Sequence, residues 1–533
     1  MSADASLARG AAASTIATAL SRVTGFVRVV VVAAAMGTTF LANTYQTANT
    51  APNLVFELVA AGVLTSIFVP TFVEYLTRRD RTEGWDAANA LGTVALVGLI
   101  GLSVLLALGA PLVMRALTIG VTDARLRDAE IELGATFLRL FSPQIALYGV
   151  GMIMTGALHA HRRFVLPAVA PIFNNLVVIG VYATYAAMRA GRDPSVEGIS
   201  ISETLVLGIG TTAGVVAMTA CLIPSLLKLG WRPRFRFDLS HPAVRKGARL
   251  GVWALGYAGG YQAGLIVVLM LANRIEGGVA AYQWAFTFFY LPHALFAVPI
   301  FNVLFTAMSE HAARSEEGQV VARLRDGLGM LAFILIPVAA LIAAAAIPLA
   351  NVTLGYGVMD GTGAALVARV LAAFAIGLPS YSAFLVFTRA YYSIGDTKTP
   401  ALMNAATVLL SSALGAALFW WLPERWAVPG LALGHSVAFM VGTGLLARSF
   451  ATRMGSEGGT RFGSTVVRAT AVSVAALGVM LTIGSMFDAS GPAASAMELA
   501  LVALAGACVY LGAMHTLKAP ELQRLGGLVK ARR

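Results

Sequence analysis

The sequence predicts an all-α polytopic membrane protein with fourteen transmembrane helices. Three observations carry this. The 533 residues are 58% hydrophobic and only 12% charged, with mean hydropathy +0.77, whereas soluble domains are about 25% charged. The apolar residues gather into runs of about 20 or more, long enough to cross a bilayer. The Lys and Arg residues recur between those runs on alternate sides, as expected when cytoplasmic loops hold the positive excess.

The runs fall at 11–36, 42–76, 87–117, 132–158, 165–188, 203–227 and 245–273, then at 279–309, 327–350, 364–392, 400–422, 427–447, 464–487 and 493–516. An even count places both termini on one side. Arg9 precedes the first run. Arg78, Arg79 and Arg81 lie between the second and third, and Arg162 and Arg163 between the fourth and fifth. The cluster from Lys228 to Arg249 separates the sixth from the seventh. Arg314, Arg323 and Arg325, then Arg389 and Lys398, then Arg448, Arg453, Arg461 and Arg468 continue the alternation, and Lys518 to Arg533 ends it. The opposite loops and helix ends hold only Arg115, Arg125, Arg127, Arg189, Arg192, Arg274, Arg369 and Arg425. The net charge of +12 is therefore an orientation signal with both termini cytoplasmic, and nucleic acid is not an expected partner. Met1 to Gly10 reads as a retained cytoplasmic tail rather than a cleaved leader.

Two segments 233 residues apart resemble each other. "LHAHRRFVLPAVAPIFNNL" (158–176) and "RAYYSIGDTKTPALMNAATVL" (389–409) each join two spans by a short turn and restart the helix with Pro-Ala, where proline's missing N–H is no loss. This fits two six-helix lobes, 1–228 and 229–450, followed by helices 13 and 14 and a tail over 451–533.

Few residues inside the spans are polar enough to carry chemistry. Arg22 and Arg28 share the first span, although an arginine at mid-membrane costs about 2.5–3.5 kcal/mol on insertion scales. Six residues put them about 240° apart on a straight helix, with Gly25 between them as a place to bend. Two readings follow: Arg22 snorkels to the interface while Arg28 pairs with Glu57, or both face a central cavity and bind an anion, as guanidinium groups bind phosphate oxygens. In the second span Pro52-Asn53 is expected to interrupt the helix one turn before Glu57, either as a cavity-lining break or as a simple kink. Arg139 is either a third cavity cation or an interfacial anchor. From helix 7 through helix 12 no Asp or Glu lies deep in an apolar run, which leaves little for a carboxylate ion site. His293 and His435 lie within spans and are read as structural before any coupling role. Cys221 and Cys508 fall in apolar runs and read as small hydrophobes. No nucleotide loop, zinc spacing or G-x-S-x-G elbow occurs, so neither an enzyme, a cofactor nor a metal site is expected.

"SRVTGFVR" (21–28), "APNLVFELVAAGVLTSIFVPTF" (51–72), "FSPQIALYG" (141–149), "YQWAFTFFYLPHALFAV" (282–298) and "RAYYSIGDTKTP" (389–400) together resemble the MurJ/MviN lipid II flippases of the multidrug/oligosaccharidyl-lipid/polysaccharide exporter superfamily. The resemblance implies two six-helix lobes around a central cavity, a groove beside the two extra C-terminal helices, and a location in the bacterial cytoplasmic membrane. It implies movement of undecaprenyl-pyrophosphate-linked disaccharide-pentapeptide from the inner to the outer leaflet for peptidoglycan synthesis, with membrane lipids and cell-wall synthesis proteins as partners. It also implies that Arg22 and Arg28 engage the pyrophosphate; Arg139 stands as a further candidate from its place in a span, and Gly25, Asn43, Pro52, Asn53, Glu57 and Thr287 are expected to line the cavity or its hinges. Three positions depart from the pattern: Val29 and Asn43 stand where many members have acids, and Thr287 where they often have an arginine. The family's sodium-site carboxylates have no obvious counterparts, though Asn404 matches one neutral ligand. The departures leave open a divergent member that moves another polyprenyl-linked glycan. A cation or multidrug antiporter of the same superfamily and a non-transporting scaffold are the other classes weighed. Arginines in the cavity disfavour the antiporter, because they repel cationic drugs.

Overall fold

The computed structural model describes residues 2–59, 81–231, 234–239, 262–454, 459–487 and 491–522. The end of the second predicted span and the start of the seventh lie outside them, as do the basic residues there and in the C-terminal tail. The described elements are helices: α1 (Ser2–Met36), α2 (Phe40–Val59), α3 (Arg81–Leu108), α4 (Ala110–Leu117), α5 (Ala124–Phe141), α6 (Gln144–Ala160), α7 (Val165–Arg189), α8 (Ile201–Ala220), α9 (Ile223–Lys228), α10 (Gln262–Ala272), α11 (Gly278–Pro292), α12 (Val298–Ala313), α13 (Glu317–Ala344), α14 (Ala346–Leu354), α15 (Gly361–Ser393), α16 (Lys398–Trp421), α17 (Glu424–Met454), α18 (Gly459–Gly484) and α19 (Pro492–Thr516). One π-helical turn, His293–Ala297, joins α11 to α12.

Among the described residues, eleven helical spans are long and apolar enough to cross a membrane, or twelve when α3 and α4, bent by 66° at Gly109, are taken as one. The expected fourteen is not reached by that measure. Of the two expected spans not counted, the second is described only to residue 59 and is rich in buried polar side chains there (Asn43, Thr44, Gln46, Thr47), and the seventh is described only from residue 262.

The expected interruption at Pro52-Asn53 is absent, for α2 runs unbroken from Phe40 to Val59 with Pro52 inside it. Thr50 Oγ1 donates to Gln46 O at 2.7 Å and Asn53 Nδ2 to Asn49 O at 3.3 Å, side-chain bonds within the helix that flank Pro52 but do not reach Ala48 O, the carbonyl whose partner the proline removes. Nor does α1 break at Gly25. The absent side chain there leaves room for the Asn175 amide of α7, which donates to Thr24 Oγ1 at 3.0 Å and Ser21 O at 3.3 Å.

The internal repeat holds residue for residue at its turns. Arg163 N bonds Leu158 O at 2.8 Å, and Asp396 N bonds Tyr391 O at 2.9 Å. Arg162 and Gly395 both take positive φ, 59° and 78°, and Pro167 and Pro400 are both the third residue of the helix that follows. This is the six-to-one closure of a helix end, made twice, 233 residues apart. Only the second copy adds a charged clamp. The Asp396 carboxylate accepts from Lys398 N, Thr399 N and Thr399 Oγ1 and pairs with Arg453. Burial works against its ionisation, but the Thr399 bonds and Arg453 outweigh it and hold the carboxyl below its ordinary range. Asp396→Ala is expected to cost about 1–2 kcal/mol, as for a lost cap. Because the folded state favours the ionised form, that stabilisation is present above about pH 4 and is lost as pH falls through the lowered value. Thermal unfolding of the wild type and Asp396→Ala should therefore differ at neutral pH and converge on acidification.

The chain divides into two compact units, Met1–Ala280 with Gly357–Met359, and Ala281–Tyr356 with Asp360–Arg533. In the first, α1 packs on α7, α7 on α8, α2 on α5 and α3 on α6. In the second, α17 packs on α15 and α16, and α13 packs on α15 and α18. The α16–α17 crossing depends on small residues, since a Cβ at Gly434 would meet the Gly415 backbone at 2.4 Å.

Candidate functional site

In the first unit, α1 carries Arg28, which is half-buried. Its charge acts on the hydroxyls of Tyr45 from α2, Tyr148 from α6 and Tyr182 from α7. Tyr45 is fully buried. Its hydroxyl lies 3.1 Å from Tyr182 Oη and 2.6 Å from Thr211 Oγ1 of α8. Phe137 and Phe141 of α5 meet its ring edge-on, each with centroids 5.5 Å apart. Tyr45 is thus fixed by packing before any ligand arrives, and the Arg28 charge bears on its group of hydroxyls through space rather than by a direct bond. Among the described residues no carboxylate lies within ion-pair distance of Arg28. Glu57, the partner of one sequence reading, instead accepts from Gln262 Nε2 of α10 at 2.5 Å.

Arg22 lies one and two-thirds turns earlier on the same unbroken helix and is exposed. Arg139 is exposed in the last turn of α5, about 200° around that helix from Phe137, and so on the far side from the tyrosine group. Thr287 is half-buried in α11 and donates to its own Gln283 carbonyl at 3.0 Å. Of the predicted anion ligands, only Arg28 belongs to the tyrosine cluster. Val29, where the family pattern has an acid, is buried.

Asn43 has a different task from lining a cavity. It is fully buried, donates to Ile275 O at 2.8 Å and accepts from Val279 N at 3.0 Å and Ala280 N at 3.4 Å. It therefore caps the start of α11 while holding the preceding turn. One turn on, Thr47 exchanges hydrogen bonds with Asn273, whose amide also donates to Leu117 O of α4. Gly277, with φ +66°, lets that turn approach so closely that a Cβ would meet the Thr38 backbone at 2.5 Å. These contacts form a polar latch at one end of the first unit. Nothing in the sequence marks it except the density of Asn and Thr in "FLANTYQTANT".

The second unit contains an apolar cleft of about 240 Å³ between α13, α18 and α19, lined by Phe333, Pro337, Leu341, Met480, Ala503 and Gly506 among others. Tyr510 donates to the Phe333 carbonyl at 2.7 Å and fixes one wall. His293 and His435 sit elsewhere in this unit. His293 shares a hydrogen bond of 2.9 Å with Ser382, and His435 packs among Phe374, Tyr381 and Phe439.

Comparison with known proteins agrees with this arrangement. A family model described as Lipid II flippase MurJ matches residues 32–499. A lipid II flippase MurJ from Burkholderia cenocepacia is 27% identical over 510 residues, 93% of either chain. A probable lipid II flippase MurJ from Synechocystis is 27% identical over 410 residues, 77% of this chain and 75% of its own. A solved structure of lipid II flippase MurJ in an inward closed conformation shares the fold, with TM-score 0.75 at 20% identity over 95% of this chain and 98% of that one. An inward-facing multidrug resistance transporter of the MATE family superposes less closely, with TM-score 0.65 at 12% identity over 82% of this chain and 95% of that one. With the family pattern matched over residues 32–499 and the whole fold shared, this chain belongs to the MurJ family of lipid II flippases.

Proposed function

We propose that this chain translocates lipid II, an undecaprenyl-pyrophosphate-linked peptidoglycan precursor, from the inner to the outer leaflet of the bacterial cytoplasmic membrane by alternating access. Both termini face the cytoplasm, following the basic loops. The observation that carries the reading is Arg28: a half-buried arginine within a membrane span, with no carboxylate in ion-pair reach among the described residues and with its charge felt by the hydroxyls of Tyr45, Tyr148 and Tyr182. A cation in that setting lacks a counter-charge, and a pyrophosphate supplies one with oxygens suited to bidentate binding. Arg22 and Arg139, both exposed, serve the same anion during entry rather than at the tyrosine group. The cleft between α13, α18 and α19 holds the polyprenyl tail, whose burial needs apolar walls and no directed bonds. Moving the charged headgroup outward draws on the membrane potential, about 2.3 kcal/mol per charge per 100 mV.

Depletion of the resident flippase in a bacterial host tests this. The wild-type chain is expected to restore growth and cell shape. Ala503→Phe, which fills the cleft, should restore them poorly at equal membrane abundance. Failure of well-expressed wild-type protein to rescue would count against lipid II and favour a different polyprenyl-linked glycan.

A further inference from the structure

The buried acid of α5 has no place in the mechanism above. Glu130 is 0% exposed, within the apolar span Ala124–Ala160, and one of its oxygens, Oε2, is buried without a hydrogen-bond partner. The other, Oε1, lies 3.3 Å from Thr44 Oγ1 of α2. A threonine hydroxyl has one hydrogen, and the shorter Thr44 bond, 2.8 Å to Phe40 O, claims it. The Glu130–Thr44 contact then closes as a hydrogen bond only when Glu130 brings the proton.

Among the described residues, no charge compensates an ionised Glu130. From α2 the polar neighbours are the neutral Asn43, Thr44 and Thr47. On α4 the one charged residue, Arg115, is exposed, and on the acid's own helix Asp128 and Glu132 are exposed and Arg127 half-exposed. In α8, Glu203 is paired with Arg192. Arg274 and Glu276, in the turn before α11, are exposed, and the described part of α3 from 92 to 108 has no ionisable side chain. Burial of an unpaired carboxylate costs far more than burial of the neutral acid.

Position gives this proton a use. Thr44 stands between Asn43 and Thr47, the two α2 residues of the latch, so α2 cannot leave the latch without moving the partner of Glu130. We propose that Glu130 is a proton-binding site: it holds one proton while the latch is closed and gives it to water when α2 parts from α5, so the conformational cycle takes up and releases a proton. The link to transport rests on the alternating-access reading, whereas the proton itself can be tested without substrate.

Glu130→Gln keeps the size of the protonated acid and a donor for Thr44. In purified full-length protein in lipid nanodiscs, the thermal midpoint of the wild type should fall as pH rises from mildly acidic to mildly alkaline, because the folded form binds the extra proton. Glu130→Gln should match the wild type at low pH and show a flatter pH profile. The infrared band of a protonated carboxylic acid should be present in the wild type and reduced in the variant. A variant less stable than wild type at every pH, with an unchanged slope and an unchanged carboxylic-acid band, would overturn the proposal. In reconstituted vesicles, loss of pH dependence of lipid II movement in Glu130→Gln would support coupling, and an identical pH profile would refute it.

Discussion

Arg28→Ala is expected to weaken binding of lipid II, and equally of undecaprenyl pyrophosphate without its sugar, by roughly 30- to 1000-fold, or about 2–4 kcal/mol, the scale of a partly buried charge-assisted contact. The loss should be largely shared by both ligands, since the part of the ligand facing the guanidinium is common to them. Arg28→Lys should recover part of it, because an ammonium keeps the charge and loses the planar fork. Tyr45→Phe removes the hydroxyl that meets Tyr182 and Thr211 and should cost less, roughly threefold to tenfold, by loosening the tyrosine group on which the arginine's charge acts. Arg22→Ala, altering an exposed residue, should slow association more than it changes the affinity at rest. Titration of each variant in nanodiscs against both ligands measures these effects. Equal affinity of Arg28→Ala and wild type would remove the arginine from the binding step.

The second large effect is at the latch. Asn43→Ala leaves the fully buried N–H groups of Val279 and Ala280 without their side-chain acceptor and takes one of two donors from Ile275 O, which keeps Gly278 N. Each buried group so exposed costs about 1–3 kcal/mol, enough to shift a closed-to-open ratio by roughly 30-fold or more. Asn43→Asp should do less. Buried as the neutral acid, it keeps an oxygen to accept from α11 and a hydrogen to donate to Ile275 O. Maleimide labelling of a cysteine at Ala42, which is fully buried on α2, reads the opening in a background without Cys221 and Cys508. Faster labelling in Asn43→Ala than in Asn43→Asp, and slowest in the parent, is the expected order; equal rates would show that Asn43 does not hold this end closed.

Much of the helix order was legible because hydrophobic runs and basic loops are set by the bilayer, which acts on every span alike. The repeat was legible too: Pro167 and Pro400 mark the same helix position on turns that agree bond for bond. Where the reading failed, tertiary contacts decided. Pro52 looked like a break because proline removes a hydrogen bond, but a single lost bond does not end the helix and α2 runs through it from Phe40 to Val59. The bend at Gly109 went unread in a run that is apolar on both sides of it. Glu130 was passed over because "ARLRDAEIE" looks like a loop ahead of a span beginning at 132, whereas α5 already starts at Ala124. Two arginines in one helix suggested one shared site; an unbroken α1 keeps them on different faces, Arg22 exposed and Arg28 half-buried.

The most direct test of the central claim is translocation itself. Fluorescent lipid II is placed in the inner leaflet of vesicles containing the purified chain under an imposed membrane potential, and its arrival in the outer leaflet is followed by an impermeant quencher. The wild type should move it, faster with the potential oriented to drive negative charge outward, and Arg28→Ala at equal reconstitution should fall to the rate of protein-free vesicles. Movement by Arg28→Ala at the wild-type rate would contradict the assignment of Arg28 as the pyrophosphate ligand, and no movement by folded wild-type protein would contradict lipid II as the substrate.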